Sequence, residues 1–121
     1  MPLPDASARR LLDIARASIR HGLAAGHALP VDVAAEAAEL REIRATFVTL
    51  EIEGRLRGCI GTLEARAPLA QDVADHACAA AFEDSRFAPL TAHELDQLDI
   101  HISILTPATP LPCRDEADLL A

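Results

Sequence analysis

Helix-period and strand-period segments follow one another along this chain, the pattern of an α+β domain in which helices pack on a sheet. Residues 7–24 and 68–82 repeat their apolar side chains at helical spacing, while residues 45–52, 55–62 and 99–105 alternate apolar with polar. Gly54 separates the first two alternating runs and marks a β-hairpin. The 121 residues suit one domain, and a composition of 50% hydrophobic and 25% charged residues excludes a disordered chain. Phe47, Phe82 and Phe87 are the whole aromatic content, so the core must be built from Ala, Leu, Ile and Val.

In the first helix, Leu12, Ala15, Ile19 and Leu23 form the apolar stripe, supported by Leu11. Asp5 or Ser7 is the expected cap, and Gly22, Gly26 and Pro30 weaken and then stop the helix. Residues 31–41 are rich in Ala and Glu and read as a second short helix. The hairpin follows. A two-residue Glu53–Gly54 turn would set Ile52 opposite Arg55 and Leu50 opposite Arg57, mixing charge with apolar surface on both faces. A three-residue loop avoids this, and it places Thr49, Glu51, Arg57 and Cys59 on one face.

Pro68 opens the next helix, which runs to about Phe82 with Leu69, Val73, Ala77, Ala80 and Ala81 inward and Asp72, Asp75 and Glu83 toward water. Residues 84–90 form a loop. Thr91 and Glu94 match a capping box for a short helix. In the last strand Ile100, Ile102 and Ile104 point inward, and Asp99, His101 and Ser103 outward. Pro107, Pro110 and Pro112 end regular structure.

Charge and cysteine content exclude several functions. The net charge is -8, from 11 basic and 19 acidic residues, which argues against sequence-independent binding to nucleic acid or an anionic membrane. All the basic residues are Arg, so a Schiff-base or phosphate-loop lysine is excluded. The cysteines, Cys59, Cys78 and Cys113, are odd in number and form no CxxC pair, which argues against a disulfide framework or a four-cysteine zinc site. Residues 1–10 lack the apolar run of a signal peptide, and no stretch is long enough to span a membrane. A cytoplasmic protein with reduced thiols is expected.

Chemistry concentrates in Leu56-Arg57-Gly58-Cys59-Ile60-Gly61. Two glycines in six strand residues suit a close approach to the backbone. Arg57 stands two residues before Cys59, a spacing of about 7 Å on one strand face, and a nearby cation favours the nucleophilic thiolate. One reading is a reactive or ligand-binding Cys59 with Arg57 as anion anchor. The other is a packed cysteine, with Arg57 paired to Glu51 across the hairpin. His76, His93 and His101 are candidate bases for Cys59, and sequence alone cannot set any of them beside it. His76 lies four residues after Asp72 and reads as a solvated surface pair. Cys78 reads as packing, and Cys113 has no visible role. Arg86, within Asp84-Ser85-Arg86-Phe87, either binds an anion or a carboxylate, or clasps the loop by bonding backbone carbonyls, with Phe87 plugging the core. No metal-ligating, nucleotide-binding or hydrolase motif is present, so no cofactor or metal is expected.

The hexapeptide, with Phe47-Val48-Thr49-Leu50 before it and Ala80-Ala81-Phe82, Asp84, Arg86-Phe87, Pro89-Leu90, Glu94-Leu95 and Ile102-Ser103-Ile104-Leu105 after it, resembles the AMMECR domain family. Bacterial and archaeal members are described as protein A of the AmmeMemoRadiSam system. The resemblance runs essentially the whole chain. Ser85 departs from the proline usual there. Family domains also continue past the length of this chain, so a single AMMECR-like domain over residues 1–121, C-terminally truncated, is expected.

The resemblance implies a mixed or mainly antiparallel sheet with packed helices and a cleft near the hexapeptide. Carried over residue by residue, Arg57, Gly58, Cys59 and Gly61, with Thr49 on the facing strand, become the candidate site. The expected partners are Memo-family and radical SAM proteins, for which the chain would be a binding or accessory module. The alternative is an enzyme or enzyme component using Cys59 as nucleophile or thiolate ligand and Arg57 as anion anchor. An uncovered sheet would also invite self-association into a homo-oligomer.

Overall fold

The computed structural model describes residues 3–105. Its elements are α1 (Asp5–Ala25), β1 (Ala45–Ile52), β2 (Arg55–Gly61), α2 (Leu69–Phe82), α3 (Ala92–Leu95) and β3 (Asp99–Leu105), with two single 3-10 turns at Val33–Ala35 and Ala38–Leu40. The expectations for Pro107, Pro110, Pro112 and Cys113 lie outside the described residues.

The sheet has three strands in the order β2-β1-β3, and both pairings are antiparallel. The fold class is thus α+β as expected, and among the described residues the sheet is wholly antiparallel. α2 lies across β1 and β2, while α1 packs against α2 and β3. Both long helices therefore cover the same sheet face. Between the layers sits a core of Leu11, Ile14, Ile19, Val48, Leu50, Leu69, Val73, Leu90, Leu95 and Leu98, with the β3 isoleucines packed against it. The small residues Ala70, Ala74, Ala77, Ala80 and Ala81 are all buried and let α2 approach the sheet closely. Among the described residues no helix is long and apolar enough to cross a membrane.

Several local expectations are corrected. The buried stripe of α1 is Leu11, Ile14, Ala15, Ser18, Ile19 and Gly22, and Leu12 is 40% exposed. Helix α1 starts after Pro4 without a side-chain cap. Ser7 is buried instead and donates to Glu39 Oε2 at 2.8 Å. Residues 31–41 do not form a helix, because the two 3-10 turns bury only Leu40 and so lack the apolar stripe that would dock one. That segment is held by Arg10–Glu36, Ser7–Glu39 and Val31–Gln71 hydrogen bonds. The Thr91–Glu94 capping box forms as read.

Candidate functional site

The hairpin register decides which side chains meet. Its turn has two residues, not three: Ile52 pairs with Arg55 across Glu53–Gly54, whose φ values are 51° and 77°. Positive φ at both central residues matches the right-handed twist of the flanking strands. The conflict that an odd loop would have avoided is removed one step later by a β-bulge. Glu51 pairs with Leu56 and Leu50 with Gly58, leaving Arg57 as the extra residue. Beyond the bulge the strand is in the parity expected, and Thr49 faces Cys59 with Oγ1 and Sγ 3.3 Å apart.

Arg57, displaced by the bulge, does not pair with Glu51. Its guanidinium donates to Glu94 Oε2 at 2.8 Å and Oε1 at 3.0 Å, and to the Ala88 carbonyl at 2.9 Å. This bidentate pair holds the Glu94 carboxyl well below the usual range, at about 2, with the Thr91 amide adding to the effect. The Arg57 cation is thus committed inside the fold.

Arg86 is linked to Cys59 through Asp84. It donates through Nη2 and Nε to Asp84 at 2.7 and 3.0 Å, so it clasps the loop through a carboxylate and not through backbone carbonyls. Asp84 holds it strongly protonated. Asp84 Oδ2 also accepts the Cys59 amide at 3.0 Å. Arg86, with the amides of Cys59 and Arg86, keeps the Asp84 carboxyl far below the usual carboxylate range. Phe87 does not plug the core. It is half-buried, with the Arg57 and Arg86 guanidinium carbons 5.8 and 5.4 Å from its ring centroid, and Leu90 takes the core position.

Both hexapeptide glycines meet protein. A Cβ on Gly58 would collide with the Ala80 carbonyl of α2, and one on Gly61 would collide with Phe47 and the Thr46 carbonyl. The close approach they allow is that of a helix and a neighbouring side chain.

On the outer sheet face the register aligns Cys59, Thr49 and His101 in one row across β2, β1 and β3. With strands about 4.8 Å apart, Cys59 and His101 stand roughly 10 Å from each other, too far for a direct hydrogen bond. His101 Nε2 lies 3.3 Å from Glu51 Oε1. His93 is exposed on α3. His76 belongs to a cluster that sequence reading assigned to the surface: Thr46 Oγ1 donates to Asp72 Oδ2 at 2.7 Å, and His76 Nδ1 is 3.1 Å from both atoms. Asp72 and Thr46 are buried. The available signal was Thr46 itself, a polar residue in the inward register of Val48 and Leu50. Cys78 is buried as expected, and burial pushes its thiol pKa up. Among the described residues no three His, Cys, Asp or Glu side chains converge as a metal site.

Comparison with known proteins gives a consistent picture. The AMMECR1 family model matches residues 12–120. A protein of Methanothermobacter thermautotrophicus is 40% identical over 119 residues, covering 97% of this chain and 60% of the relative. A Thermotoga maritima protein is 48% identical over 75 residues, covering 60% of this chain and 42% of the relative. The crystal structure of an uncharacterized protein from Pyrococcus horikoshii superposes with a TM-score of 0.78 at 33% identity, over 87% of this chain and 54% of that one. The chain therefore spans between about two fifths and three fifths of the length of these relatives.

Proposed function

The chain belongs to the AMMECR1 family, and from that premise we propose that it acts in the cytoplasm as the protein-A component of an AmmeMemoRadiSam system, a binding or accessory module for Memo-family and radical SAM proteins. One observation carries this reading. Both long helices pack on one face of the sheet, while the row Cys59–Thr49–His101 lies on the other, with no helix over it among the described residues. A three-stranded sheet with one free face is a rigid platform, and a partner docking there reads side chains whose positions the register fixes. The commitment of Arg57 to Glu94 supports a binding role over a catalytic one, since the cation nominated to hold an anionic substrate already has a carboxylate.

A second reading keeps Cys59 as a nucleophile or thiolate ligand. What favours it is the Thr49 hydroxyl at 3.3 Å and the Arg86 guanidinium, which is bound to the same Asp84 carboxylate that accepts the Cys59 amide and would replace Arg57 as the neighbouring charge. Equilibrium binding of the purified chain to a Memo-family protein and to a radical SAM protein separates the two. Docking predicts that His101→Glu, at an exposed outer-face position, weakens capture about tenfold or more, while Cys59→Ser leaves it unchanged. Loss of an activity in Cys59→Ser with capture intact would favour the enzyme reading. No capture by either protein would overturn the docking proposal.

A further inference from the structure

We draw no further inference here: the strongest candidate, the apolar groove between α1 and the edge strand β3 lined by Leu3, Leu11, Leu12, Ile100, Ile102 and Ile104, is an unpartnered face, and nothing in the structure shows what covers it.

Discussion

The Cys59 amide donates to Asp84 Oδ2 at 3.0 Å, so the side of β2 that faces away from β1 is closed by a loop carboxylate and not by another strand. The same carboxylate receives Arg86, so the loop after α2 is braced where Asp84 ties it to the hexapeptide. An edge amide held this way is protected from water and from pairing with a foreign strand. Hydrogen exchange at Cys59 is therefore expected to accelerate about tenfold or more in Asp84→Ala, and less in Asp84→Asn, which keeps an acceptor oxygen. Equal exchange in wild type and Asp84→Ala would show that the contact gives no protection.

Gly58 is a packing residue. Its missing Cβ is the space occupied by the Ala80 carbonyl, which is helix backbone and cannot rotate aside. Gly58→Ala is expected to destabilise the domain by about 3 kcal/mol, as overpacking against an immobile neighbour does. Gly54→Ala, with open space around it but φ at 77°, should cost less, about 1 kcal/mol. Urea denaturation of the two variants gives the comparison, and a smaller loss at Gly58 than at Gly54 would contradict the packing assignment.

The Arg57–Glu94 pair predicts a pH signature. Glu94 titrates at about 2 in the folded chain because Arg57 holds it ionised, against about 4.3 when unfolded. A depressed carboxylate pKa contributes stability that is complete above the unfolded value and is lost as pH falls toward the folded one. Wild type should therefore exceed Glu94→Gln in urea midpoint by a constant margin above about pH 5.5 that shrinks between about pH 4.5 and 2. A margin that does not change across that window would mean the pair contributes no charge-dependent stability.

Thr46, Asp72 and His76 form a buried polar junction between β1 and α2. Asp72→Ala removes the carboxylate acceptor of the buried Thr46 hydroxyl and leaves only His76 Nδ1 beside it, at an expected cost of about 2 kcal/mol. Adding Thr46→Val to Asp72→Ala should recover about 1 kcal/mol of that loss, because the second substitution removes the hydroxyl that lost its carboxylate. A double variant as unstable as the sum of the two single ones would show that the residues do not act together.

How much of this was legible in the sequence follows the range of each interaction. The helical periods, the three alternating runs and the Thr91–Glu94 capping box depend on residues a few positions apart, and all of these appear near the expected boundaries. The hexapeptide and its flanking motifs were enough to suggest the family. The burial of Asp72 leaves no mark in the sequence, because its spacing to His76 is the same on a buried helix face as on an exposed one. The hairpin parity follows from the alternation, but a bulge restores it where a longer loop is expected, since either device returns the apolar register.

Local pattern thus determined the two long helices and three strands of this protein, the inward faces of the strands and the placing of Thr49 beside Cys59. The tertiary structure decided what the charged side chains do. Arg57 meets Glu94 across 37 residues of sequence, and the Cys59 amide meets Asp84 across 25. Which carboxylate reaches which cation depends on how α3 and the loop after α2 settle against the edge of β2. That settling is fixed by packing of the core, and packing between segments far apart leaves no periodic mark on the chain.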